Sequence, residues 1–191
     1  MKCPQLKRFV TSERELELSE LGIKLCACPH CRQSGTLIGH GFLRGYAERG
    51  SGLVVRGRRI FCSNRGKRPG CGRTFSVKLG CVLSGFVVRT LTLWCFVQAV
   101  LGGLTLRAAW LVEAAGALSL SSGYRLWRRL SAAQSALRVR LCREAPAPAS
   151  TAREPLAQLV QHLAVAIGDS GETDLFAAYQ SHLGQGLFDV G

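Results

Sequence analysis

Acidic side chains are almost missing from one long stretch of this 191-residue chain: between residues 25 and 80 the only one is Glu48. That excludes a charge-balanced surface there. Long apolar runs are missing too. The longest uncharged stretch, 90–106, holds Gln98, Gly102 and Gly103, is bracketed by Arg89 and Arg107, and falls short of the roughly 20 mainly apolar residues a membrane-spanning helix needs. A buried helix ended by a glycine break is expected instead, with no membrane partner. Residues 1–8 carry no apolar signal core and residues 12–20 are rich in Glu. A bacterial cytoplasmic setting with reduced thiols is therefore expected, not a secreted disulfide scaffold, although the chain has nine cysteines. No internal repeat is visible.

What the chain has in excess is positive charge. Its 25 Lys and Arg against 12 Asp and Glu give a formal charge of +13, the electrostatic footprint of a protein that meets phosphates. The charge is unevenly placed. Residues 1–80 hold 16 basic and 5 acidic side chains, 81–150 hold 8 and 2, and 151–191 hold 1 and 5. Two basic modules followed by an acidic tail are the expected arrangement, with small modules favoured over one large core.

The cysteines carry the sharpest signal. Cys28-Pro29-His30-Cys31 is followed after thirty residues by Cys62, and after eight more by Cys71 in the run Cys-Gly-Arg-Thr-Phe. Two knuckles that each present a thiolate pair, separated by enough chain for a hairpin, suit one tetrahedral structural Zn2+. A module of about fifty residues has little core of its own, so a metal becomes structurally necessary. Cys26 competes with Cys28 for the first ligand position, and His30 or His40 enters only if a cysteine drops out. Gly35 and Gly72 suit the knuckle turns. Cys-Pro-His-Cys also matches a thiol-oxidase motif, but Arg32 to Thr36 reads as a turn, whereas that chemistry needs a helix after the first cysteine. The His-x-Glu and Pro-Cys-x-x-Cys order of a zinc deaminase is absent.

Around the knuckles the basic residues fall into two groups. Arg56, Arg58 and Arg59 lie on an expected strand, where alternation puts Arg56 and Arg58 on one face and Arg59 on the other. Arg65, Lys67 and Arg68 sit in the eight-residue second knuckle, an exposed basic finger suited to phosphate contact, with Arg73 just beyond it.

The expected fold class is α+β. Ser12 with Glu15 three residues later has the form of a capping box opening a helix over 13–21. Extended runs at 36–43, 53–61 and 74–78, with a glycine-containing turn at 48–52, make a small antiparallel sheet clipped at one end. From Gly85 the pattern turns helical. A buried helix stops at Gly102-Gly103, Thr105 caps a second, Gly116 breaks it, and a third starts near Ser121 or Ser122 and runs toward Cys142. The second and third helices, the latter studded with Tyr124, Arg125, Arg128 and Arg129, have the form of a helix-turn-helix in which those four side chains contact DNA. Trp127 is expected in the core. Residues 144–155 read as a Pro/Ala linker. Beyond it Leu156, Leu159, Val160 and Leu163 form a helical stripe ended by Gly168, and Phe176, Tyr179 and Phe188 lie in an acidic coda. The expected organisation is thus a helical segment over 1–24, a zinc ribbon over 25–80, a helix-turn-helix over 81–143, the linker, and a helical tail over 156–191.

Residues 28–77, with Cys-Pro-His-Cys, the basic strand Arg-Gly-Arg-Arg-Ile-Phe-Cys and the ending Cys-Gly-Arg-Thr-Phe, resemble the zinc ribbon at the N-terminus of many bacterial insertion-sequence transposases. Gly-Tyr-Arg-Leu-Trp-Arg-Arg-Leu is similar to the helix-turn-helix that follows in such proteins. The resemblance covers about residues 25–143 and implies zinc ligation by Cys28, Cys31, Cys62 and Cys71. It stops before the catalytic part. Such transposases use a dispersed Asp/Asp/Glu set to hold two metal ions, while here Asp169, Glu172, Asp174 and Asp189 crowd into 21 residues without strand patterning. The expectation is a non-enzymatic accessory protein of a mobile element that binds double-stranded DNA and docks a transposase or recombinase through its tail. The alternatives are a transcriptional regulator, a truncated transposase remnant and an RNA-binding ribbon protein.

Overall fold

The computed structural model describes residues 7–50, 52–114, 118–168 and 173–189. The expected break at Gly116 and the acids Asp169 and Glu172 lie outside them. The described residues form a mixed α+β protein with one four-stranded sheet and six helices. The chain divides into two compact units, Met1–Ala47 with Ser51–Gly80, and Glu48–Gly50 with Cys81–Gly191.

In the first unit the order is β1 (Phe9–Val10), α1 (Glu13–Gly22), a single 3-10 turn (Ile23–Leu25), β2 (Leu37–Tyr46), β3 (Leu53–Cys62) and β4 (Thr74–Leu79). The last three strands pair antiparallel, and β1 adds to β4 in parallel, giving the order β1-β4-β3-β2. Alternation decides the faces. Ile60 and Cys62 on β3 are buried with Val77 and Leu79 on β4, and with Leu37, the partner of Cys62 on β2. Leu16 and Ile23 join them from the helical side. The two-residue β1 has no sequence signature of its own, and its pairing with β4 closes the edge of the sheet.

The start of α1 departs from a reciprocal capping box. Ser12 Oγ accepts from the Glu15 N–H at 3.1 Å, but the Glu15 carboxylate accepts from Thr11 N–H and Oγ–H at 2.8 and 2.7 Å. The carboxylate thus reaches one residue further back than a capping box requires, to the two donors of Thr11.

The second unit holds α2 (Thr90–Leu101), α3 (Leu106–Glu113), α4 (Leu120–Leu141), α5 (Pro155–Ile167) and α6 (Leu175–Leu183). Thr105 caps α3 by accepting from the Ala108 N–H. Phe96 of α2 meets Trp110 of α3 and Trp127 of α4 edge-on, with ring centroids 5.1 and 5.9 Å apart. Trp110 Nε1–H donates to the Ser119 carbonyl. Its ring lies so close to Gly123 that a Cβ there would sit 2.6 Å from Cδ2, so glycine sets the approach of α4 to α3.

The tail corrects the expected organisation. Leu156, Leu159, Leu163, Phe176, Tyr179 and Phe188 are buried in one core with Leu93, Phe96, Leu126, Leu130 and Leu137. Phe176 packs edge-on against Trp94 at 5.2 Å. The Asp174 carboxylate accepts from Thr90 Oγ–H at 2.6 Å and from the Phe176 and Ala177 N–H groups at 3.1 Å. Residues 156–191 are therefore not a separate module, because an apolar stripe and three aromatic rings find their burial on α2 and α4. Nor is 144–155 loose. His162 Nε2–H donates to the Ala145 carbonyl and Gln158 Nε2–H to that of Ala152, at 3.0 and 2.8 Å. Among the described residues no helix is long and apolar enough to cross a membrane.

Candidate metal centre and basic surfaces

Four cysteines converge at one end of the sheet. Cys28 and Cys31 follow the 3-10 turn, Cys62 ends β3, and Cys71 closes the loop that leads to β4. The local backbone forces the convergence. Cys28 N–H donates to the Gln33 carbonyl and Arg32 N–H to that of Cys28, both at 2.9 Å, which winds the first knuckle. In the second, the Gly70 N–H reaches the Ser63 carbonyl at 3.1 Å and the Gly72 N–H the Cys62 carbonyl at 2.9 Å. A Cβ on Gly70 would lie 2.1 Å from Ser63 O and 2.9 Å from Cys62 Sγ, so this turn closes only with glycine. Gly35 and Gly72 have positive φ, as the knuckle turns require.

The four sulfurs lie within 4.8 Å of one another. Cys28 Sγ is 3.8 Å from Cys71 Sγ, and Cys31 Sγ 3.7 Å from Cys62 Sγ. Those separations are far beyond a disulfide bond. They equal the edge, about 3.8 Å, of a tetrahedron whose metal–sulfur bonds are about 2.3 Å. The quartet can hold one metal ion.

Its electrostatics are unequal. Burial raises the Cys62 thiol, but donation from the Thr36 hydroxyl and the Cys71 N–H outweighs burial and brings it down to about 7. At Cys28 burial prevails over the N–H groups of Cys31 and His30 and pushes the thiol up to about 11. Of the competing ligands, Cys26 is turned away, its thiol directed to the Gly22 carbonyl at 3.6 Å. The His30 and His40 rings pack against Phe75 and Phe61.

The arginines are placed differently from a plain alternation. A β-bulge opens in the β2–β3 ladder, where Arg44 pairs with Val55 and Leu43 with Gly57, leaving Arg56 between. Arg56 then lies against Gly45, and the Arg58 guanidinium lies over the Phe42 ring at 5.1 Å. Gly45 and Phe42 are three apart on β2, so Arg56 and Arg58 stand on opposite faces, a correction to the shared face that alternation predicts. Arg59, Arg65, Lys67, Arg68 and Arg73 are exposed. Arg65 stacks over Phe61 at 5.8 Å, and Lys67 carries a positive φ at the loop tip.

On α4, Tyr124, Arg125 and Arg128 are exposed, and Leu126, Leu130 and Leu137 are buried. Arg129 is engaged within the unit. Its guanidinium lies 5.3 Å from the Phe86 ring and 5.2 Å from that of Phe188, while the residue stays exposed like Tyr124, Arg125 and Arg128. Asp174, among the acids clustered near the end, is buried and used as a helix cap. The sequence reading passed over Phe42 and Tyr46, which are exposed on β2. The signal for them is present in the alternation of Phe42, Arg44 and Tyr46.

No protein-family model matches the chain, and neither a curated protein nor a solved structure is significantly similar to it.

Proposed function

We propose that this chain is a non-enzymatic, zinc-stabilised DNA-binding protein that works beside a transposase or recombinase. The observation that carries the reading is the sulfur quartet at tetrahedral spacing, set in a sheet unit whose second knuckle presents Arg65, Lys67 and Arg68 to solvent. Four cysteines with no histidine or carboxylate among them favour Zn2+ over a harder ion. The metal's part is structural: it holds the two knuckles together, while Arg32 and Arg73 beside them offset the negative charge of the four thiolates. The basic knuckle contacts phosphates. Helices α3 and α4 act as a helix-turn-helix, with Tyr124, Arg125 and Arg128 facing the bases. A cut-and-join chemistry is not part of the proposal, since the Asp174 carboxylate is committed to Thr90 and to the start of α6. A protein partner would meet the outward side of α5, such as Gln161 and Val165, because the apolar stripe of that helix faces the core.

The test is a binding titration of the zinc-loaded protein on a selected duplex and on random duplex DNA at several salt concentrations. Replacing Arg65, Lys67 and Arg68 by Ala should weaken both alike and flatten the salt dependence by a slope of about one per lost contact. Replacing Arg125 or Arg128 should cost about 1–3 kcal/mol on the selected site and little on random DNA. Equal losses on the two DNAs would return α4 to being a solvated helix face, and no loss with the loop variant would sink the phosphate role.

A further inference from the structure

The hairpin carries a stripe that duplex binding leaves unused. Phe42, Arg44 and Tyr46 alternate along β2, so they project to one face of the sheet. Directly across on β3 stand Arg58, Val55 and Leu53. Phe42 and Tyr46 are 43% and 66% exposed and Leu53 59%, an uncommon amount of ring and aliphatic surface to leave in water. Neither strand contains an acid, and the Arg58 guanidinium already lies against the Phe42 ring. β2 is also the outer strand of the sheet.

We infer that this stripe binds single-stranded nucleic acid, with bases stacked on Phe42 and Tyr46 and the backbone following Arg44 and Arg58. Two physical features select an unpaired strand. Aromatic rings interleaved with arginines supply stacking and phosphate attraction to any base sequence, which a duplex, with its bases already stacked inside, cannot exploit. Alternate residues on a strand stand about 6.8 Å apart, twice the spacing of about 3.4 Å per nucleotide along a duplex strand. Successive bases of a helix cannot meet successive positions of the stripe; those of an extended strand can. The inference rests on the reading of the first unit as a nucleic-acid module, but it uses residues distinct from the basic knuckle.

The experiment compares the zinc-loaded full chain with its Phe42→Ala, Tyr46→Ala and doubly substituted variants on oligothymidylate, oligouridylate and duplex DNA. Each single change should lower affinity for an unpaired oligomer about tenfold and leave duplex affinity unchanged, and Tyr46→Phe should behave like the parent. The two unpaired oligomers separate DNA from RNA as the better ligand. Unaltered single-strand affinity in the double variant, or an equal loss on duplex, overturns the inference. Its failure is distinguishable from failure of the duplex reading: the former leaves the effect of Arg65, Lys67 and Arg68 on duplex intact, whereas the latter removes that effect and spares the response of unpaired oligomers to Phe42 and Tyr46.

Discussion

The sheet unit and the helical unit bury the same kinds of side chain in very different supply. Among the described residues of the first, the buried apolar set beyond cysteine is Phe9, Val10, Leu16, Ile23, Leu37, Ile60, Val77 and Leu79. The second packs 23 buried residues, from its five helices and the segments beside them, into one cluster, among them Phe96, Trp110, Phe176 and Tyr179. Hydrophobic burial scales with the area removed from water, so the first unit has a small apolar core to set against chain entropy, and its two knuckles bring together four cysteines that could hold one metal ion. The difference teaches where each unit is expected to fail: the first at its four clustered cysteines, the second at its packing.

The largest expected effect therefore comes from metal removal. Structural zinc contributes an apparent 10 to 16 kcal/mol in small domains, roughly, far more than the margin of a typical fold. Chelation, or Cys62→Ser, should collapse the amide spectrum of the sheet unit while the helical signal at 222 nm, roughly, persists. Elemental analysis of the untreated protein should give about one zinc per chain. Freely titrating thiols and a metal-free native protein would erase the contrast between the units.

The opposite vulnerability is tested by Phe176→Ala. Emptying this site should cost about 3–5 kcal/mol and lower the melting point of the whole helical unit, with zinc content unchanged. A melt that stays at the parent temperature would mean that α6 is peripheral, as the Pro/Ala composition of 144–155 suggests on its own.

The smallest effect sharpens the comparison further, since it concerns one buried polar group inside the apolar unit. Burial holds the Asp174 carboxyl above the usual carboxylate range, against the opposing hydrogen bonds from Thr90, Ala177 and Phe176. The folded chain then binds this proton more tightly than the unfolded chain. Its contribution is fully present below the unfolded value, about 4, and is lost as pH rises through the folded one. Asp174→Asn keeps an oxygen for the two N–H groups and should flatten this dependence, whereas Asp174→Ala should cost about 1–2 kcal/mol as a lost cap. Urea midpoints followed over a pH series that starts below the unfolded value, about 4, read both.

The strands and the cysteine cluster were legible because their signals are local. Alternation around Ile60 and Cys62, a glycine turn near Gly50 and two thiol pairs each act within a few residues. The helical stripe of α5 was equally legible, but its destination was not. Leu156, Leu159 and Leu163 say that one face is apolar, and nothing in twelve intervening Pro- and Ala-rich residues says which surface covers it. The answer lies in long-range complementarity with Leu130 and Leu137 on α4. The ring contacts of the exposed Arg129 were hidden for a related reason: Phe86 and Phe188, over which its guanidinium lies, are far apart in sequence. The bulge at Arg56 is a backbone event with no composition signal.

The segment 144–155 is held near its ends by His162 and Gln158, while Pro146 and Ala147 in its middle are exposed. A single cut there would leave α2 to α4 in one fragment and α5 with α6 in the other, each carrying half of a shared interior. Two such pieces, produced separately, are expected to reassociate through that interior as subunits do.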